Sequence, residues 1–363
     1  MTRAELCAKR NEALNAFSSI GEVEYCEPYG NGHINDTFLT VTKSQKRYIL
    51  QRINHQIFKK PDEIMANIAA VTDFIRSKVA AAGGDVERCT IKVVKTNDGA
   101  NFYCDSIGSY WRLYEFTERT VTKERVSNMK EFCDCAEAFG NFQNLLSEFD
   151  ASTLFESIKD FHNTPVRYRN LIKAIEKDPL GRVAEVKPEI DFVLAREEFC
   201  KTLEKARENG TLPLRVTHND TKLNNILFDE ATDAPVCVID LDTIMPGYSV
   251  NDFGDSIRFG ANTAAEDETD LSKVSLDLEL YHAFAEGFLK GCAGKLTDTE
   301  VELLPVGAMM MTLECGIRFL TDYIEGDTYF RISRPSHNLD RCRTQFALVA
   351  DMEAKLEQMK VSK

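Results

Sequence analysis

The sequence predicts an α+β chain of two lobes: an antiparallel sheet with one main helix over residues 1–116, then a mainly helical lobe over residues 117–363. Three observations carry this. Apolar–polar alternation and short apolar runs fill the first third of the chain, as strands require. One long segment of 3.6-residue period interrupts them, opening at Pro61. Beyond about Thr117 the period is helical almost to the end, broken once between Arg215 and Thr243. A strand-rich part followed by a helix-rich part, without β/α alternation, marks an α+β architecture.

Strands are expected at VEYCEP (from Val23), DTFLTVTK (from Asp36) and KRYILQRIN (from Lys46), with GNGHIN and KSQK as turns. Pro61 suits a first helical turn, where an N–H would have no partner anyway. From there Ile64, Ile68, Val71, Phe74 and Ile75 form one apolar stripe, and Gly83-Gly84 ends the segment. Two more strands follow, TIKVVKT and SYWRLYEFT. MKEFCDCAEAFGNFQNLLSEF then opens the helical part with a clear amphipathic period.

Composition narrows the class of protein. With 43% hydrophobic and 28% charged residues in 363, this is an ordinary globular chain. Its formal charge of −14, with no basic patch to offset it, argues against a nucleic-acid partner. The N-terminal helix lacks the apolar core of a signal peptide, and no apolar run spans a bilayer, so no membrane partner and a cytoplasmic location are expected. The eleven cysteines are odd in number and scattered, and the Cys133/Cys135 spacing fits no zinc or redox pattern. Reduced thiols are the expectation.

The strongest chemical signal is VTHNDTKLNNILFDEATDAPVCVIDLDT, Val216 to Thr243. Two short apolar strands, Ile226–Phe228 and Val236–Ile239, flank a polar turn and form a hairpin. Pairing them about the turn's midpoint sets Asn225 opposite Asp240. An amide oxygen and a carboxylate at the open end of a hairpin can share Mg2+, with phosphates and water completing its shell. Asp220 lies in the loop leading to the same end, with Lys222 beside it, where an acceptor hydroxyl needs a proton acceptor. Singly, such residues are turn caps more often than not. Together, His218, Asp220 and Asn225 in the order H-x-D-x4-N, followed by strand, turn, strand and Asp240, match the catalytic-loop spacing of protein kinases. His218 is expected to pack and hydrogen-bond.

Asp252-Phe253-Gly254 literally spells the D-F-G of such enzymes, but it lies a dozen residues past the hairpin, behind Pro246 and Gly247. Asp240 is the better cation ligand, and Asp252 and Asp255 are expected to brace the loop or open the next helix. Asp242 is open to two readings, a second cation ligand or a solvated carboxylate. Gly30, Gly32, His33 and Asn35, in GNGHIN, form a turn whose backbone amides can approach phosphates. His33 and Asn35 could reach either nucleotide or acceptor.

This set of motifs resembles the aminoglycoside phosphotransferase and choline kinase superfamily, with a two-lobed, protein-kinase-like fold. GNGHINDTF, YILQRIN, THNDTKLNNIL, VIDLDTIMPG and NDFGDSIRFG resemble most the N-acetylhexosamine 1-kinases, over nearly the whole chain. The resemblance implies ATP- and Mg2+-dependent phosphorylation of the anomeric hydroxyl of GlcNAc or GalNAc. The pattern departs at the third strand: Gln51 stands where a phosphate-binding basic residue is expected, with Arg52 next. Arg52 faces the other side unless the strand bulges, which puts its pairing with Glu63 in question. Adenine is expected against the chain at Tyr114-Glu115-Phe116. Glu314, Arg318 and Asp322, at i, i+4 and i+8 of an apolar helix, are either an intrahelical ion-pair ladder or a wall for sugar hydroxyls, with Arg318 and Tyr329 as donors. Rival readings are a kinase of choline, homoserine or an aminoglycoside, a glycosyltransferase using Asp240-Leu241-Asp242 as D-x-D, and a non-catalytic nucleotide binder. Oligomeric state is not readable from the sequence.

Overall fold

A computed structural model describes residues 3–30, 34–123 and 128–362, so Gly32 and His33 lie outside the described residues. The fold is α+β: an N-terminal antiparallel sheet with a helix, and a helical C-terminal part. The strands are β1 (Val23–Pro28), β2 (Asp36–Thr42), β3 (Arg47–Ile53), β4 (Val93–Val94), β5 (Tyr103–Cys104), β6 (Tyr110–Glu115), β7 (Thr120–Thr122), β8 (Arg215–Thr217), β9 (Ile226–Asp229), β10 (Pro235–Val238) and β11 (Met245–Gly247). The principal helices are α1 (Arg3–Asn15), α2 (Pro61–Ala81), α3 (Met129–Leu145), α4 (Thr164–Lys177), α5 (Ser249–Gly260), α6 (Leu278–Cys292), α7 (Leu304–Glu325) and α8 (His337–Ala354). Among the described residues, no helix is long and apolar enough to cross a membrane.

The chain forms two compact units that are not two consecutive stretches. The first comprises residues 1–122, 148–159 and 226–245; the second comprises 123–147, 160–225 and 246–363. The β9–β10 hairpin thus groups with the N-terminal sheet, whereas the sequence reading places it among the helices. β9 pairs with β7 on one side and β10 on the other.

In the first unit the sheet runs β1-β2-β3-β6-β4, with β5 on β6, and its pairings are antiparallel. Alternation dictates two faces. Phe38, Leu50, Trp111 and Leu113 lie on one and pack with Ala13 of α1 and Phe17 just after it into a buried core. The α2 stripe read from the sequence is buried at Ile64, Ile68, Val71 and Ile75. Phe74 is half-buried and meets Phe149 edge-on.

In the second unit α7 is buried along most of its length. One cluster joins Leu313, Ile317 and Leu320 of α7 to Leu171, Cys342 and Val349. Helices α5 and α7 cross where Gly254 meets Gly307: a Cβ on Gly254 would lie 2.3 Å from the Gly307 carbonyl oxygen. That obstacle is backbone, so no rotamer relieves it. Gly254→Ala is expected to destabilise this unit by about 1–3 kcal/mol, read as an earlier midpoint in urea.

Candidate active site

The loop after β8 carries the residues singled out in the sequence, and buried partners hold it. Asn219 has φ 65°, in the left-handed region, where Asn is among the few side chains at ease. The Asp252 carboxylate, in the first turn of α5, accepts the backbone N–H groups of His218 (2.9 Å) and Asn219 (2.8 Å) and the Gln143 amide (2.9 Å). Its backbone oxygen accepts the Thr221 hydroxyl at 2.6 Å. Burial pushes the Asp252 acid above its ordinary pKa, against the lowering effects of His218 and these donors. The His218 ring lies edge-on to Phe139 and Phe142. It packs as expected, and its Nδ1 also faces the Asp220 N–H at 3.3 Å.

The literal D-F-G therefore has three structural tasks. Asp252 braces the loop, Phe253 packs on Tyr281, Phe284 and Phe288, and Gly254 is the helix crossing. Asp255 faces Arg258 at 3.0 Å.

Asp220 is partly exposed and pairs with Lys222 at 2.5 Å. The Asn225 amide nitrogen donates to the Asp220 carbonyl (2.9 Å) and carboxylate (3.2 Å). With its nitrogen so committed, Asn225 has its oxygen for a cation, which is the donor that magnesium prefers. His162 ties this loop to α7, with Nδ1 3.0 Å from Glu314 and Nε2 3.4 Å from the Asn219 carbonyl.

In the first unit, the β9–β10 register differs from simple midpoint pairing. A shift between Pro235 and Cys237 sets Val238 opposite Ile226. Asn225 lies in a 3-10 turn and Asp240 has left-handed backbone (φ 60°, ψ 55°), so neither belongs to the ladder. The expected Asn225–Asp240 pair is not a strand register.

Asp242 fits neither expectation. It is buried, not solvated, and Arg112 grips it with both terminal nitrogens, Nη2 to Oδ2 at 3.0 Å. The Asn35 amide reaches the same Oδ2 at 2.7 Å. These partners also weaken the D-x-D reading, which needs both carboxylates for a cation. Arg112 lies beside Gln51 in the β3–β6 register, and its Nε donates to Gln51 Oε1 at 2.9 Å. Burial opposes its charge, but Asp242, Tyr114 and Asp240 outweigh that and raise its pKa. The Tyr114 hydroxyl is pushed up by burial, with Asp242 and Asp240 adding to the effect and Arg112 opposing it.

Sequence reasoning missed Arg112. The available signal was one arginine inside the apolar strand YWRLY, since a buried charge must have a partner.

Arg52 serves the phosphates only if β3 bulges, and β3 pairs with β2 and β6 without a register shift. Its side chain lies on the sheet face of Trp111, away from Gln51 and Arg112, and bonds to Asp36 at 2.7 Å. Glu63 pairs with Lys60 at 2.8 Å. At the expected adenine segment, Tyr114 is buried in β6. The N–H groups of Glu115 and Phe116 donate to Lys92 and Arg47 carbonyls, so both are already used by the sheet. The Phe116 ring lies under Arg47 at 4.1 Å.

On α7 the three polar residues have separate partners. Buried Glu314 accepts from Thr164 at 2.7 Å and contacts His162. Burial raises its pKa, but His162 and Arg318 outweigh that and the net shift is downward. Buried Asp322 accepts the backbone N–H groups of Thr328, Tyr329 and Phe330 (2.8–2.9 Å) and the Asn338 amide (2.8 Å), shaping the turn after the helix. That turn carries Tyr329 and Phe330 to Arg318, whose guanidinium carbon is 5.9 Å and 5.3 Å from their ring centres. Arg318 and Tyr329 are brought together, whereas Glu314 and Asp322 are braces.

The fold matches solved structures of kinases. A microcompartment-associated aminopropanol kinase aligns over 98% of this chain and 99% of its own, at 15% identity and a TM-score of 0.62. An aminoglycoside phosphotransferase from Alicyclobacillus acidocaldarius aligns over 96% of each chain, at 13% identity and a TM-score of 0.60. An amicoumacin kinase in complex with AMP-PNP, Ca2+ and Ami covers 95% of this chain and 96% of its own, at 13% identity and a TM-score of 0.58. At these identities the likeness speaks for the fold. The phosphotransferase enzyme family (APH) matches residues 26–286, well over half the chain. The chain belongs to that family, as an ATP-dependent small-molecule kinase.

Proposed function

We propose that the enzyme transfers the γ-phosphoryl group of ATP to the anomeric O1 of an N-acetylhexosamine, GlcNAc or GalNAc. The observation that carries the phosphotransfer is the loop 218–225, in which Asp252 fixes the backbone and the Asn225 amide holds Asp220. In this reading Asp220 accepts the O1 proton as the O1–P bond forms and the bond to the ADP oxygen breaks. Asn225 and Asp240 would hold Mg2+, which supplies charge neutralisation at the phosphates. Gly30, Gly32 and Asn35 belong to the phosphate loop, and adenine lies along residues 114–116. Because the N–H groups of 115 and 116 are engaged, the base would use carbonyls there or groups beyond Phe116.

The acceptor follows from the motif resemblance and from Arg318. A guanidinium beside the exposed ring of Tyr329 suits neutral hydroxyls and an acetamide oxygen. It repels choline and polycationic aminoglycosides, and the carboxylates on the same helix, Glu314 and Asp322, are already bonded. His33 is assigned to the acceptor with them. Incubation with Mg-ATP and a panel of sugars, read by phosphorus NMR, tests the proposal. A sugar 1-phosphate and ADP support it; phosphate on O6, or turnover of choline or homoserine alone, removes the substrate assignment.

Removing Arg318 takes a charged hydrogen-bond donor from the sugar oxygens, a loss of about 1–3 kcal/mol. Arg318→Ala is therefore expected to raise KM for the sugar by roughly 5–150-fold and to leave KM for ATP nearly unchanged. Equal rises in both constants would count against the assignment.

A further inference from the structure

We propose that the buried Asp242 carboxylate is a positioning residue that, with Arg112 as its counterion, holds Asn35 at the entry to β2 and the turn carrying Asp240 as one joint. The proposal rests on the phosphotransfer reading for what Asn35 and Asp240 bind. The residues concerned all belong to the first compact unit.

Asn35 lies one residue before β2. Its side chain is held at both ends: Nδ2 donates to Asp242 Oδ2 at 2.7 Å, and Oδ1 accepts the Asn54 N–H at 2.9 Å. The opposite side of Asp242 is filled by Arg112, one nitrogen to each oxygen. Arg112 Nε then reaches Gln51 (2.9 Å), and Gln51 Nε2 reaches Thr37 Oγ1 (3.0 Å). A continuous polar chain thus crosses β2, β3 and β6 and ends at the turn Leu241–Thr243. Asp240 is two residues from Asp242 and has left-handed backbone, so the turn that aims it is the turn that Asp242 anchors. Asn67 of α2 fixes the far side of this turn through the Ile244 carbonyl, at 3.0 Å.

With these bonds made, Asp242 cannot take a cation without releasing Arg112. Arg112, spent on Asp242 and Gln51, forms a charge-neutral pair with Asp242 and so acts by holding position. Stability alone does not account for the arrangement, since a buried ion pair adds little over apolar side chains of similar volume.

The test is binding of Mg-AMP-PNP to the full chain by calorimetry, which needs no acceptor. Arg112→Met/Asp242→Leu replaces the pair with apolar groups of similar size, which buried ion pairs commonly tolerate without loss of fold. A joint predicts that this double variant, folded by circular dichroism, binds Mg-nucleotide at least about tenfold more weakly than wild type, as coupled sites do. Asn35→Ala and Arg112→Lys should each weaken binding, and their combination should fall short of the product of the two effects, because both act through Asp242. Wild-type affinity in the apolar double variant, or effects that multiply in Asn35→Ala/Arg112→Lys, would overturn the proposal. An enzyme that fails to phosphorylate any hexosamine would refute the acceptor assignment and leave this measurement standing.

Discussion

Asp220→Asn is expected to lower turnover by roughly 10²–10⁴-fold, the usual contribution of a positioned general base, while Mg-nucleotide affinity stays close to wild type. The substitution is nearly isosteric, and the loop does not depend on the Asp220 charge for its shape. Its backbone is fixed by Asp252 through His218 and Asn219, and Thr221 and Ser256 lock to each other's neighbourhood through a hydroxyl-to-carbonyl bond at 2.9 Å. Asn225 still finds the backbone oxygen of residue 220, its shorter bond at 2.9 Å. Among the described residues, the interaction lost outright is the ion pair with Lys222, which is partly exposed and contributes about 0–1 kcal/mol. Loss of turnover with retained fold therefore isolates the proton-accepting role. The checks are initial rates at saturating Mg-ATP and calorimetric nucleotide binding. Near-normal turnover in a folded Asp220→Asn protein would remove Asp220 as the base.

What could be read in the sequence was local. β2, β3 and β6 announce themselves because turn residues bound them and each presents buried residues, while β1 buries only Cys26. β5 and β7, two and three residues long, have no alternation to read and exist through their partners β6 and β9. The H-x-D-x4-N spacing was legible for the same reason, since Asp220 and Asn225 meet within one loop. Discounting Asp252-Phe253-Gly254 as the metal strand end agrees with the structural tasks those residues perform.

The remainder depended on tertiary register. The turn closes between Phe228 and Pro235 and the ladder ends at Ile226 opposite Val238, so Asn225 and Asp240 are not register partners. Arg112 and Asp242 are 130 residues apart, and no local pattern links them. Their meeting requires β6 to lie beside β3 and the hairpin to group with the N-terminal sheet. Glu314, Arg318 and Asp322 stood out as polar residues at intervals of four in an apolar helix. The same pattern did not reveal that Asp322 holds the backbone of residues 328–330, because that bond belongs to a turn and not to the helix.

Asp240→Ala is expected to abolish activity at any practical magnesium concentration, whereas Asp252→Ala is expected to weaken the protein without altering its magnesium requirement. The two carboxylates stand in different environments. Asp240 sits in a left-handed turn outside the ladder, and its negative charge is felt by Arg112 and Tyr114. A carboxylate held at a fixed turn is a ligand for a hard cation, and alanine offers that cation no oxygen. Asp252 is spent on two backbone N–H groups and the Gln143 amide. Alanine there strands three buried donors, and relief of a buried charge offsets part of that loss, leaving about 1–3 kcal/mol of destabilisation. The loop would loosen, so turnover should fall, but the magnesium concentration giving half the residual rate should match wild type. Magnesium titrations of rate, paired with urea unfolding of each variant, separate the two roles. An unchanged magnesium response in Asp240→Ala, together with a lost one in Asp252→Ala, would transfer the metal assignment to the literal D-F-G.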